Sequence, residues 1–213
     1  MATFRVCFVG DSVTLGTGDS ACLGWPNRLC AAEIEARGHD LSCYNLGVRA
    51  ETSALIAARW EAECRPRLPD HVDGRLVFSF GLNDMADQDG VGQRTPTERS
   101  VETARSLLSR AKSWKPVLWI GPTPVRREPP VIRPGQDVVY RFYRDRVKDA
   151  SERYAALAET LEIPYLDLYA ALADDPAWDR VMEAGDGVHP TGDGYARIAD
   201  LVSRWEAWRA WLG

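Results

Sequence analysis

The chain has 213 residues, of which 45% are hydrophobic and 27% charged, and its formal net charge is −5. This length and composition predict one globular domain over residues 1–213, and the acidic balance speaks against a general nucleic-acid-binding protein. No apolar run is long enough to span a membrane, and residues 1–5 lead straight into a strand pattern rather than a secretory signal. We therefore expect a cytoplasmic protein.

The five cysteines form an odd set without the spacing of a metal site, so we expect reduced and mostly buried thiols.

Five short apolar segments predict β-strands, in chain order over 4–9, 42–46, 75–80, 116–120 and 163–167. Each strand is followed by a segment with the spacing of an amphipathic helix. Such alternation is typical of a parallel sheet with helices on both faces, so the sequence predicts an α/β fold.

Start and stop signals delimit the helices. We predict helices from near Trp25 to Gly38, from about Thr52 toward Pro66, from a Thr95 N-cap with Glu98 completing a capping box, from about Asp137 to Leu161, and from near Thr191 through Trp211. Residues 121–135 hold five prolines, which predict irregular structure. That segment is either a stiff surface connection or a wall or lid over the site.

Polar residues cluster where the predicted strands end. Ser12 follows the first strand, residues 45–47 end the second and residues 81–84 follow the third, while Asp186 and His189 lie beyond the fifth. Ligands of an open parallel sheet bind beyond the carboxyl ends of its strands. We therefore expect these segments to meet on one rim.

The chemistry of acyl transfer assigns roles to these residues. A serine hydroxyl is a weak nucleophile at neutral pH, so Ser12 needs an imidazole that accepts its proton. His189 is the candidate base, because His39 and His71 lie in polar turns at the opposite edge of the sheet. Asp186 can hold the other imidazole nitrogen.

Attack on a carbonyl also creates an oxyanion, which needs fixed hydrogen-bond donors. The sequence offers three: the backbone N–H of Ser12, the backbone N–H of Gly47 and the side-chain amide of Asn83. We expect Asp11, just before Ser12, to cap the turn.

Four blocks of the chain resemble, in order, those of the GDSL/SGNH hydrolase family of esterases and lipases. The blocks are Gly10-Asp11-Ser12-Val13-Thr14-Leu15-Gly16, Asn45-Leu46-Gly47 with Thr52-Ser53, Gly81-Leu82-Asn83-Asp84, and Asp186-Gly187-Val188-His189-Pro190. The resemblance implies a flavodoxin-like three-layer α/β/α sandwich and hydrolysis of carboxylic esters or thioesters without a cofactor. It also implies a Ser12 nucleophile, Gly47 and Asn83 as oxyanion donors, and Asp186 and His189 as the rest of a triad. One departure is Ala50, where the second block often has a glycine.

The chain is thus predicted to be a serine esterase that cleaves a small-molecule ester, most readily an acetyl or short-chain ester, through an acyl-serine intermediate. A metal-dependent phosphoesterase is an alternative, in which Asp11, Asp84, Asp186 and His189 gather around a divalent ion. A second alternative is a non-catalytic module that binds an ester or a sugar on the same fold.

Overall fold

A computed structural model describes residues 3–213. The expectation that the chain lacks a secretory signal concerns residues 1–5, of which Met1 and Ala2 lie outside the described residues. The strands in that range are β1 (Thr3–Gly10), β2 (Asp40–Gly47), β3 (Gly74–Ser79), β4 (Asp87–Gln88), β5 (Gly92–Gln93), β6 (Val117–Ile120), β7 (Val131–Gly135), β8 (Val138–Arg141) and β9 (Tyr165–Leu166). The helices are α1 (Ser12–Leu15), α2 (Gly24–Arg37), α3 (Ser53–Cys64), α4 (Thr97–Trp114), α5 (Arg144–Thr160), α6 (Leu168–Leu172), α7 (Pro176–Ala184), α8 (Gly192–Arg204) and α9 (Glu206–Leu212).

The five predicted strands form one all-parallel sheet in the order β2-β1-β3-β6-β9, flanked by helices, so the predicted α/β fold is confirmed. Their register brings the strand ends into line: Gly10 pairs with Gly47 and Ser79, Ser79 pairs with Ile120, and Ile120 pairs with Leu166. Parallel strands that end together place the loops that follow them on one edge. Those loops carry the polar blocks of the sequence.

A second sheet, antiparallel in the order β5-β4-β8-β7, was not predicted. The prediction of irregular structure over 121–135 was wrong at β7, and the helix predicted from Asp137 begins only at Arg144, because β8 comes first. Proline is tolerated in β7 because this is an edge strand, and Pro134 lies at an irregularity of the β7–β8 register. In β8, the run Val138-Val139-Tyr140 has the β-branched and aromatic residues that favour strands.

Two further helix boundaries differ from the prediction. The helix expected to be capped by Thr95 begins at Thr97 without a side-chain cap, because Pro96 is extended with ψ 140°. Glu98 instead lies 3.5 Å from Arg153, so the predicted capping box is absent. The last predicted helix is two helices, α8 and α9, separated at Trp205.

Aromatic side chains fill the layers on both sides of the main sheet. Trp25 packs edge-on against Phe8 of β1, with ring centroids 5.3 Å apart, and Trp208 of α9 contacts the same ring at 6.2 Å. Trp208 also donates through Nε1 to Glu33 of α2. The tryptophan-rich last segment therefore covers the core, as its spacing predicts.

Within residues 3–213, no helix combines the length and the apolar character that crossing a membrane requires. The five cysteines are free, and Cys7, Cys30 and Cys64 are buried.

Candidate active site

Ser12 is the first residue of the short helix α1, directly beyond the end of β1. Asp11 is the N-cap of this helix, as predicted, and its Oδ1 accepts a hydrogen bond of 2.9 Å from the Val13 N–H. Gly16 ends the helix in the left-handed conformation, with φ 93°. This tight strand-to-helix turn fixes the Ser12 hydroxyl on the rim of the sheet.

Ser12, His189 and Asp186 form a continuous chain of hydrogen bonds. Ser12 Oγ lies 2.7 Å from His189 Nε2, and His189 Nδ1 lies 2.7 Å from Asp186 Oδ2. Ser12 and His189 are both buried, whereas the Asp186 side chain is 43% exposed. The geometry is that of a nucleophile, a base and a group that orients the base.

The loop between α7 and α8 holds Asp186 in place through its own backbone. Asp186 Oδ1 accepts hydrogen bonds from the N–H groups of Val188, at 2.9 Å, and His189, at 2.7 Å. Burial raises the pKa of Asp186, but the side-chain hydrogen bond and charge of His189 and these backbone donors outweigh it, so the net pKa is lowered. The carboxylate is therefore ionised where it faces the imidazole.

Asn83 lies on the loop that follows β3, and its side chain contacts Asp11, which follows β1. Its Nδ2 donates a hydrogen bond of 3.2 Å to Asp11 Oδ2, and its Oδ1 accepts one of 3.3 Å from Arg94 Nη1. An amide nitrogen carries two hydrogens, so one remains for a ligand. Arg94 was not singled out from the sequence. This residue lies outside the four blocks, and nothing in the sequence around it indicates a contact with Asn83.

Gly47 and Ala50 occupy different places on the loop that follows β2. The Gly47 N–H donates to Asn45 Oδ1 at 3.0 Å, and a Cβ at Gly47 would lie 2.2 Å from the Leu15 nitrogen. The structure thus gives Gly47 a role in the close approach of β2 to α1, and its N–H is already bonded. Ala50, in contrast, lines one cavity with Ser12, Asn83 and His189.

That cavity has a volume of about 30 Å³, room for one or two water molecules. Its apolar wall comes from the second sheet and the residue after it, through Ile132, Pro134, Tyr140 and Phe142. The sequence offered a wall over the site as one interpretation of residues 121–135, but it did not predict that the two strands β7 and β8 form this wall. Ile132 and Pro134 of the proline-rich segment line the cavity, so this segment forms a wall of the site, which is one of the two interpretations that the sequence left open.

Asp84, the remaining acid of the third block, belongs to a buried network behind the site. Its carboxylate accepts hydrogen bonds from the Ser53 N–H and hydroxyl and from the Ser100 hydroxyl, which contacts Tyr154. Burial raises the pKa of Asp84 despite these donors. Among residues 3–213, no three His, Cys, Asp or Glu side chains are grouped as a metal site would require.

Asp11 is a buried carboxylate that contacts Asn83 at the site. Burial raises the pKa of Asp11 to about 6, although the Val13 backbone bond and the charge of His189 act in the opposite direction. Its two oxygens serve different partners, one in the α1 cap and one on Asn83. The carboxylate therefore links the turn that carries Ser12 to the amide of Asn83.

A parallel sheet between helical layers, with polar loops gathered at its carboxyl edge, defines a three-layer α/β/α protein. The model of the GDSL-like Lipase/Acylhydrolase family matches residues 8–197, so the chain belongs to this family and is a hydrolase enzyme. The match includes all four sequence blocks. A catalytic triad and an oxyanion hole are features of the family.

Solved structures share the fold across nearly the whole chain. A lipase/acylhydrolase from Enterococcus faecalis is 24% identical, with 95% of this chain and 94% of that chain covered and a TM-score of 0.75. A catalytic mutant of an acetylxylan esterase from Geobacillus stearothermophilus is 17% identical, with 96% and 94% covered and a TM-score of 0.70. The acetyl xylan esterase AlAXEase is 19% identical, with 97% and 99% covered and a TM-score of 0.69. Among curated proteins, none matches this chain.

Proposed function

We propose that this protein is a serine esterase that hydrolyses small carboxylic esters, acetyl esters above all, through an acyl-Ser12 intermediate. The single observation that carries the proposal is the distance of 2.7 Å between Ser12 Oγ and His189 Nε2, in a chain completed by Asp186. A hydroxyl held this close to an imidazole can lose its proton as it attacks a carbonyl carbon.

In the acylation step, the Ser12 proton passes to His189 Nε2 while Oγ forms a bond to the carbonyl carbon. Asp186 stabilises the imidazolium and keeps the ring oriented through Nδ1. His189 then returns the proton to the leaving alcohol oxygen as the ester C–O bond breaks. In deacylation, His189 takes a proton from water as the water oxygen forms a bond to the acyl carbon. The acyl C–Oγ bond then breaks, His189 returns the proton to Ser12 Oγ, and the carboxylic acid leaves.

The negative charge of each tetrahedral intermediate needs donors that point into the cavity. We assign this role to the Ser12 N–H, to the free Asn83 Nδ2 hydrogen and to the Ala50 N–H, with Ala50 in the place expected for Gly47. Two observations support this assignment: Ala50 lines the cavity with the other two residues, and the Gly47 N–H is bonded to Asn45. Loss of one such donor typically lowers kcat about 10²- to 10³-fold.

The small cavity and its apolar wall support acetyl as the preferred acyl group. Ile132 and Phe142 can contact a methyl group beside Ser12, and a volume of about 30 Å³ leaves little room for a longer acyl chain. The acetylxylan esterases with the same fold make acetylated carbohydrate a reasonable first substrate class. We also propose that the whole chain forms one catalytic domain and works in the cytoplasm, where the free cysteines remain reduced.

The test measures turnover of p-nitrophenyl acetate and p-nitrophenyl butyrate by the wild-type protein and Ser12→Ala. We expect turnover that favours acetate and that Ser12→Ala lowers at least a thousandfold. Ser20→Ala, at an exposed serine eight positions away, is the matched control and should leave turnover unchanged. Turnover that survives Ser12→Ala but stops with a chelator would replace this proposal with the metal-dependent alternative. Tight ester binding without turnover would favour the binding module.

A further inference from the structure

Arg94 lies between β5 and α4 and bridges three separate parts of the site. Its Nη2 donates to the Ala50 carbonyl at 2.7 Å, and its Nη1 contacts Asn83 Oδ1 at 3.3 Å and the Asn83 carbonyl at 3.5 Å. The guanidinium carbon also lies 4.3 Å from the centre of the Tyr140 ring. One side chain thus touches the residues on two sides of the cavity and part of its apolar wall.

The contact with Asn83 decides which way its amide points. A guanidinium offers only donors, so it selects the carbonyl end of the amide, and the NH₂ end must then point toward Asp11 and the cavity. With the amide reversed, Nδ2 would face Nη1 donor to donor. The positive charge next to Oδ1 also polarises the amide, which makes its N–H a stronger donor to a developing oxyanion.

The contact with Ala50 holds a backbone conformation that alanine seldom adopts. Ala50 has φ 62°, in the left-handed region, where a residue with a Cβ is strained and needs support from its surroundings. Arg94 supplies such support by binding the Ala50 carbonyl. No other residue in the described part of the chain bonds both Ala50 and Asn83.

We propose that Arg94 is a positioning residue that holds the Ala50 N–H and the Asn83 amide in the relative positions that one oxyanion hole requires. The inference rests on the proposed function. Arg94 does not touch the reacting atoms; it acts through the two donors. Through its stacking on Tyr140, it also keeps the acyl wall at a fixed distance from those donors.

The test compares kcat and KM for p-nitrophenyl acetate in Arg94→Ala, Arg94→Lys and the wild-type protein. Oxyanion donors act in the transition state, so Arg94→Ala should lower kcat about 10- to 100-fold and change KM less than threefold. Arg94→Lys should recover only part of the lost kcat. Lysine keeps the positive charge, but a single ammonium cannot bond both Ala50 and Asn83 as the planar guanidinium does. Millimolar guanidinium should raise kcat of Arg94→Ala at least threefold.

Arg141→Ala is the matched control. Arg141 lies one position after Tyr140, pairs with Asp89 at 3.1 Å and is 43% exposed, so its loss should change kcat less than twofold. Thermal unfolding of each variant measures how much of the protein is folded at the assay temperature. An unchanged kcat in Arg94→Ala would overturn the inference, as would a loss that follows the folded fraction and does not respond to guanidinium.

The same data separate the two proposals. Turnover that requires Ser12 but ignores Arg94 would overturn only the role of Arg94. Turnover that does not require Ser12 would overturn the proposed function instead.

Discussion

Ser12 and His189 are 177 positions apart in the chain, and their side chains meet at 2.7 Å. The meeting depends on the parallel sheet: β1 ends at Gly10, two residues before Ser12, and the loop before α8 brings His189 to the same edge. Neither element is near the other in sequence. Their contact is therefore a property of the fold, and the proposed chemistry depends on it.

Asp186→Asn should lower kcat about 10²- to 10⁴-fold for the acetyl ester, because an amide cannot stabilise the imidazolium and favours the wrong imidazole tautomer. Asparagine keeps a carbonyl oxygen for the Val188 and His189 N–H groups, so the loop should remain folded. Steady-state kinetics measure the effect. Asp193→Asn, at an exposed carboxylate in the first turn of α8, is the control and should retain full activity. Equal activities of the two variants would remove Asp186 from the mechanism.

Ile132→Ala should enlarge the acyl cavity and raise kcat/KM for the butyryl ester relative to the acetyl ester by about tenfold. One methylene is worth about 1–3 kcal/mol in a hydrophobic pocket. The ratio of the two kcat/KM values is the measurement. Side chains alternate between the faces of a strand, so Val131→Ala, one position earlier on β7, removes methyl groups from the opposite face. A ratio that changes equally in both variants would show that the cavity is not the acyl site.

Ala50→Gly should raise the free energy of unfolding by about 0.5 kcal/mol. Glycine relieves the left-handed strain of about 1–2 kcal/mol, and its greater freedom in the unfolded chain offsets part of the gain. Urea unfolding measures the difference. Ala57 lies inside α3 and has no positive φ, so Ala57→Gly should instead lower the free energy of unfolding by about 1 kcal/mol. A loss of similar size at both positions would argue that Ala50 is unstrained.

Asp11→Ser should change how stability depends on pH. The pKa of Asp11 is raised to about 6 by burial, so between about pH 4 and pH 6 the folded state binds more protons than the unfolded state. Stability attributable to this group therefore falls as the pH rises through that window. Serine keeps an N-cap acceptor for Val13 but does not titrate in this range. The free energy of unfolding of Asp11→Ser, relative to that of the wild-type protein, should therefore rise by about 2 kcal/mol from pH 4 to pH 7.

Urea unfolding of both proteins at a series of pH values tests this, because carboxylates common to the two cancel in the comparison. A stability difference that stays constant from pH 4 to pH 7 would contradict the assignment of a raised pKa to Asp11.

The sequence predicted the parallel sheet well because its strands are short apolar segments, each followed by a helical period. It failed at β7 and β8, where local signals conflict. Pro134 opposes a strand, and the spacing of Val139, Phe142 and Tyr143 also fits the helix that follows. The conflict is resolved in favour of strands because β8 pairs with both β7 and β4. Such pairing depends on the tertiary structure, so local sequence signals do not predict it.

The candidate site shows the same division. Ser12, Asn83, Asp186 and His189 could be singled out from residue type and position after strands. The bonding of the Gly47 N–H to Asn45 and the reach of Arg94 to Ala50 depend on side-chain geometry that no spacing encodes. A wall over the site was one interpretation of residues 121–135, but its apolar residues could not be named because the strands that carry them, β7 and β8, were not predicted.

The most direct test of the account is covalent labelling with a fluorophosphonate, followed by peptide mass spectrometry. The account predicts one phosphonyl group per chain, attached to Ser12, at a rate that His189→Ala lowers at least a hundredfold. Labelling at another serine, or labelling of Ser12 that does not depend on His189, would contradict it.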